Sequence, residues 1–275
     1  MGESEIRSVA MPTVLSSEYP INVVTTGDDR RPPLLLINPL GTTVEFWEPL
    51  LGHLEARHWV IRFDLRGHGG SSGGSLDAYA VGDLAGDAIA VLDALEVQRA
   101  RVFGASLGGM VAATLAGSAP ERVERLVLAS TAVRLGPDTW WEETMERVSE
   151  GGLAAVVDHL DTVFFSDAWK LAVPDRREAA RGMLLDMDPA AYLVGSEASR
   201  SADLSGVAPL IRASTLLITG EDDPVLRHYP ATDLLDLIEG SEAVNVGGAK
   251  HRVLLEQPDL IGPVVNEFLV DPDAH

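Results

Sequence analysis

The chain has 275 residues, 46% of them hydrophobic, so it can bury a sizeable core as one large α/β domain or two small ones, and disorder is excluded. Its formal charge of −21 is spread along the chain and repels phosphate backbones and anionic lipid headgroups, which argues against nucleic-acid and membrane partners. The absence of cysteine removes a disulfide scaffold, a thiolate metal site and a cysteine nucleophile together.

The opening stretch MGESEIRSVAMP lacks the basic and apolar regions of a signal peptide. Gly2 follows Met1, but Ile6 stands where a myristoylation motif wants Ser or Thr. No apolar run approaches the roughly 18 residues of a membrane span, so the expectation is a soluble, cytoplasmic protein. Short apolar runs at 21–26, 34–38, 59–64, 100–105, 125–130, 214–220 and 242–247 then read as strands. Several are continuously apolar, as strands buried on both faces are.

Helical patterns lie between them. Over 76–95 the apolar positions Val81, Leu84, Ala88, Val91, Leu92 and Leu95 share one face, with Asp83, Asp87 and Asp93 on another. Residues 107–117 are small and apolar, which suits a helix packed tightly on a sheet. The interval 131–207 breaks the alternation, with helix-like stretches at 138–150, 151–165, 175–186 and 189–200 and no strand. The pattern predicts a mainly parallel sheet flanked by helices, with a helical insertion sized as a lid.

Gly104-Ala105-Ser106-Leu107-Gly108 matches G-x-S-x-G between a strand and a helix. A serine exposed on so tight a turn needs a strained backbone, and only small residues fit two positions to either side. The helix that follows aims its N–H groups and positive dipole end at the serine. The alternatives are a glycine-rich packing turn or a phosphate loop, but GASLGG is neither G-x-G-x-x-G nor a Walker A sequence. Ser106 is therefore the candidate nucleophile.

A serine hydroxyl needs a base, and the base needs an orienting carboxylate. With the order Ser, acid, His, the histidines His53, His58, His68 and His159 come too early and His275 is terminal. His251 follows a strand and a small-residue loop and is the candidate base; His228 reads as an exposed loop residue. In LLITGEDDPV a strand runs into Glu221, Asp222 and Asp223, and the spacing from Gly220 favours Asp223 as the acid, with Asp222 the fallback. The oxyanion donors are expected at the backbone N–H of Leu107 and, in the loop NPLGTT, of Leu40, since Pro39 has none. DLRGHGGSSGG, at 64–74, fails as a dinucleotide fingerprint where Ser72 replaces the third glycine, and Asp64 and Arg66 are expected to brace it through a local ion pair.

From about Leu34 to Phe268, these blocks resemble the α/β-hydrolase superfamily and, more narrowly, 3-oxoadipate enol-lactonases. NPLGTTVEFW is similar to that family's N-S-L-G-T segment, and DLRGHGGSS, GASLGGM, APERVERLVLAS, TAVRLGPDTWW, TGEDDPV and HRVLLEQP have counterparts in order and spacing. The resemblance implies an α/β-hydrolase fold, with a core at 1–130 and 208–275 and a helical cap at 131–207 inserted after the sixth strand. It implies Ser106, Asp223 and His251 as the catalytic trio, Arg134 as a partner for a substrate carboxylate, and Trp141 in the pocket, with Trp140 an equal candidate. No cofactor or metal is implied. The chain departs from the pattern in Asn38-Pro39 and in the basic run Lys250-His251-Arg252. Cleavage of a small lactone or ester is the leading expectation, ahead of carbon–carbon bond hydrolysis, a biosynthetic cyclase or isomerase, and a ligand-binding receptor on the same scaffold.

Overall fold

The computed structural model describes residues 9–10, 14–16, 19–71 and 78–270. Most of the opening stretch read for targeting (all but Val9 and Ala10), Ser72, and the first two positions of the 76–95 pattern lie outside them. The elements run β1 (Val9–Ala10), β2 (Val14–Ser16), β3 (Tyr19–Ile21), β4 (Val23–Thr26), β5 (Pro33–Ile37), α1 (Glu48–Leu54), β6 (Trp59–Phe63), α2 (Val81–Ala94), β7 (Ala100–Ala105), α3 (Leu107–Ser118) and β8 (Val123–Ala129). Five helices follow: α4 (Asp138–Gly151), α5 (Val157–Phe164), α6 (Asp167–Ala172), α7 (Pro174–Leu185) and α8 (Pro189–Ser201). The chain closes with β9 (Ser214–Gly220), α9 (Thr232–Leu237), β10 (Glu242–Val246), α10 (Val253–Glu256) and α11 (Pro258–Leu269).

The main sheet has the order β1-β4-β6-β5-β7-β8-β9-β10. β1 and β4 pair antiparallel at one edge, and β6, β5 and β7 to β10 are parallel. β7 is buried along its whole length. Alternate side chains feed two apolar cores. Leu35, Ile37 and Val102 face Leu84 and Val91 of α2 and Met110 of α3 on one side. Leu34, Leu36 and Phe103 face Leu50 of α1 and Val265 of α11 on the other. The helical insertion leaves after β8, the sixth strand of this sheet in chain order, and contains no strand among the described residues. Among the described residues no helix is long and apolar enough to cross a membrane.

Three local expectations are corrected. The single strand at 21–26 is two strands, broken at Asn22, whose N–H donates to Ser71 Oγ (2.9 Å) and whose Nδ2 donates to Asp64 Oδ2 (2.8 Å). Asp64 and Arg66 form no local ion pair. The buried Asp64 carboxylate is occupied by Asn22 and by the N–H groups of Val44 (2.8 Å) and Gly70 (2.9 Å). Arg66 instead reaches Asp87 with two hydrogen bonds, at 2.5 and 2.8 Å. Asp87 is thus buried rather than on the exposed face with Asp83 and Asp93, because a buried carboxylate is tolerated once paired.

The glycines around Ser106 are set by backbone packing. A Cβ on Gly104 would collide with the Gly108 carbonyl, and one on Gly108 with the carbonyls of Ile37 and Asn38. Gly86, exposed in α2, has no neighbour a Cβ would meet within 4 Å. We therefore expect Gly108→Ala to lower unfolding stability by about 1–3 kcal/mol. Gly86→Ala should raise it by about 0.5–1 kcal/mol in the same urea titration.

Burial pushes the imidazoles of His58 and His68 down from 6.5 to about 4. Between those values the unfolded chain holds protons that the folded chain refuses, so stability is complete above pH 6.5 and falls as the pH drops toward 4. His58→Gln should flatten that decline by up to about 3 kcal/mol, measured as unfolding free energy against pH.

Candidate active site

β7 delivers Ser106 to the carboxyl edge of the sheet, where the chain turns into α3. Ser106 adopts φ +54°, ψ −119°, a left-handed backbone that L side chains rarely take. The turn is held by the Ser106 N–H donating to Ala129 O (2.8 Å) and by Met110 N–H donating to Ser106 O (3.0 Å).

His251 sits on the loop between β10 and α10. Its Nε2 lies 2.9 Å from Ser106 Oγ and its Nδ1 lies 2.8 Å from Asp223 Oδ2. All three residues are buried. With Nδ1–H donated to the carboxylate, Nε2 is the nitrogen left to accept the Ser106 hydroxyl proton. Asp223 Oδ1 accepts from Val225 N–H (2.9 Å), which fixes the carboxylate plane. Asp222 and Glu221 point to exposed positions, so Asp223 alone of the three acids meets the histidine. His228 is exposed and packs edge-on to Tyr229, as its loop reading expected.

Leu40 and Leu107 bracket the serine. Leu107 is the first residue of α3, where backbone N–H groups have no partner within the helix. Among the described residues no hydrogen bond engages the N–H of Leu40 or Leu107. The Leu40 loop is clamped from four directions. Asn38 Nδ2 donates to Phe63 O (3.0 Å), Trp47 Nε1 donates to Asn38 Oδ1 (2.6 Å), and Thr42 Oγ1 donates to Pro39 O (2.8 Å). The fourth clamp is His68, whose Nε2 accepts from Gly41 N–H at 3.2 Å while Nδ1 donates to Arg66 O at 2.9 Å. The sequence reading set His68 aside as too early in the chain to be the base; its presence in R-G-H-G, beside Asp64, was the available signal.

The cavity at Ser106 is small, about 20 Å³, and is lined in part by Leu135, Trp140, Trp141, Phe164 and Tyr192. Trp141 is there as expected, with Nε1 donating to Leu135 O (2.5 Å), and Trp140 is there beside it. Arg134 is not. It is ion-paired to Asp138 (3.2 Å) and lies over the ring of Tyr229 (5.5 Å). Sequence reasoning missed Arg252, which lines the cavity beside His251.

The basic run around His251 ties this loop to the insertion. Lys250 Nζ donates to Thr162 O (2.8 Å) and Arg252 N–H donates to Phe164 O (3.0 Å), both at the end of α5. Glu256 accepts from Lys250 N–H (2.8 Å) and Ser166 N–H (3.2 Å). Among the described residues no cluster of histidine and carboxylate groups is placed to hold a metal ion.

Residues 32–156 match the family described as alpha/beta hydrolase fold. Over 257 residues the chain is 30% identical to 3-oxoadipate enol-lactonase 2 of Acinetobacter baylyi, covering 94% of this chain and 96% of that one. The enol-lactonase of Burkholderia xenovorans superposes with a TM-score of 0.89 at 28% identity, over 94% of this chain and all of its own. A hydrolase of Pseudomonas aeruginosa superposes at 0.87 with 31% identity, over 98% of this chain and all of its own. With a serine turn, histidine and carboxylate in this geometry on this sheet, the chain belongs to the α/β-hydrolase fold family and is a hydrolase.

Proposed function

We propose that the protein cleaves a small lactone or ester through an acyl-enzyme on Ser106, with an acidic enol-lactone such as 3-oxoadipate enol-lactone as the substrate its relatives suggest. The observation that carries this reading is the hydrogen-bonded chain Ser106–His251–Asp223, buried at the wall of a small cavity lined largely by aromatic side chains.

His251 Nε2 takes the Ser106 proton as Oγ attacks the carbonyl carbon. The developing oxyanion is held by the N–H groups of Leu40 and Leu107, each worth about 3 kcal/mol to the transition state. The imidazolium then protonates the leaving oxygen as the ester bond breaks. In a lactone that oxygen stays tethered to the acyl chain, so the ring opens on the enzyme. Water, deprotonated by His251, attacks the acyl carbon and frees Ser106. Asp223 holds the working tautomer and stabilises the imidazolium.

The insertion at 131–207 serves as the cap, and 1–130 with 208–275 as the core. Trp140 and Trp141 of α4, Phe164 of α5 and Tyr192 of α8 support this assignment, because they wall the cavity over the serine. Their apolar surface excludes water while the ester bond is polarised.

Ser106→Ala should abolish turnover of lactones and aryl esters, by at least about 1,000-fold in kcat, together with labelling by a fluorophosphonate. Full turnover by that variant would sink the proposal. Asp223→Asn should lower kcat by about 10,000-fold with KM little changed, because the histidine then loses its tautomer control. An Asp222→Asn variant, measured alongside, should keep its activity.

A further inference from the structure

Arg252 is a buried cation that the mechanism above does not use. It is 7% exposed, and its guanidinium lies against the rings of Phe164 (4.7 Å) and Phe46 (5.6 Å). One nitrogen donates to Leu40 O (3.0 Å), whereas Nη1 is buried with no hydrogen-bond partner. No carboxylate lies within ion-pair distance of Arg252 among the described residues. Burial brings its pKa down to about 10, so it is still charged at neutral pH. An unpaired charge of this kind costs several kcal/mol unless a counter-charge arrives.

The position of the free nitrogen says what can arrive. Arg252 lines the Ser106 cavity and also an adjoining one of about 30 Å³, and Leu40, Phe164 and Tyr192 border both. The Phe164 and Phe46 rings lie against the guanidinium, and Nη1 is its buried nitrogen without a hydrogen-bond partner. In-plane N–H donors in a fixed fork fit a carboxylate. The adjoining cavity holds a second guanidinium, Arg181, whose Nη2 pairs with Asp158 (2.8 Å) while its Nη1 is also buried without a partner. The lining carboxylate of Asp161 is consumed by Arg177, at 2.8–3.2 Å. The unsatisfied donors of this space are therefore cationic, in a chain whose charge of −21 repels anions elsewhere.

We propose that Arg252 is the specificity-determining residue: its Nη1 binds a carboxylate of the substrate at the junction of the two cavities. The preferred substrate is then an ester or lactone whose acyl chain carries a carboxylate. This rests on Ser106 being the nucleophile, as argued above.

The test compares 4-nitrophenyl hemiglutarate with its uncharged isostere, 4-nitrophenyl 5-methylhexanoate. Arg252→Gln removes the charge and should lower the ratio of kcat/KM for the hemiglutarate to that for the isostere by about 10- to 100-fold, mainly through KM for the hemiglutarate. Arg252→Lys should recover part of the preference. Equal losses on both esters would mean that Arg252 only positions the Leu40 loop, and would overturn the proposal. Thermal unfolding supplies a reading that needs no turnover and no variant. Glutarate should raise the melting temperature of the wild type and glutaramide should not; a flat response to glutarate also overturns the site. If glutarate stabilises the protein but Ser106-dependent ester turnover is absent, the carboxylate site stands and the hydrolase reading fails.

Discussion

The left-handed backbone of Ser106 is the constraint around which the site is arranged. A non-glycine residue held at φ +54° costs on the order of 1–3 kcal/mol, so the surroundings must enforce it. They do so through the sheet. β7 is buried along its length between β5 and β8, and α3 must start at once to cover that strand. Gly108, in the first turn of α3, rests on the carbonyls of Ile37 and Asn38 at the end of β5. The same contact that permits the sharp turn thus sets the height of the loop carrying Leu40. Ser106 and the backbone of Leu40 and Leu107 are positioned by one packing event rather than three.

The acid and base are placed by a second set of contacts. Asp223 follows β9 and His251 follows β10, neighbouring parallel strands whose ends lie side by side. What steadies His251 is its attachment to the helical insertion, through Lys250 to Thr162, Arg252 to Phe164, and Glu256 to Ser166. The basic run that departs from the enol-lactonase pattern therefore has two uses. Lys250 satisfies a carbonyl at the end of α5, where helix acceptors lack partners. Arg252 packs its stem and ring-covered guanidinium into the cavity wall. A movement of α5 would be felt at the histidine.

Much of this was legible in the sequence. The buried strands announced themselves as apolar runs, and α3 as a stretch of small residues, because burial on both faces leaves no room for alternation. Order and spacing singled out Ser106, His251 and Asp223 as candidates, with Asp222 in reserve, and the fold brings the first three into hydrogen-bond contact. The failures share one cause. Asn22 breaks a strand because Asp64, far along the chain, binds its side chain. Arg66 ignores its near neighbour for Asp87 on α2. His68 supports the Leu40 loop across a gap of 27 positions. Each is a polar side chain choosing among several partners.

The sequence by itself determined the alternation of strands and helices, the strained serine turn, and which residue types could perform nucleophilic chemistry. Those follow from backbone preference and apolar periodicity, which act over a few residues. Only the tertiary structure decided that Asp223 meets the histidine, that His68 backs the Leu40 loop, and that Arg252 lines the Ser106 cavity. Charged and hydrogen-bonding groups pair by distance in space and by loss of water, and both are set by chain segments that meet only when the sheet has formed.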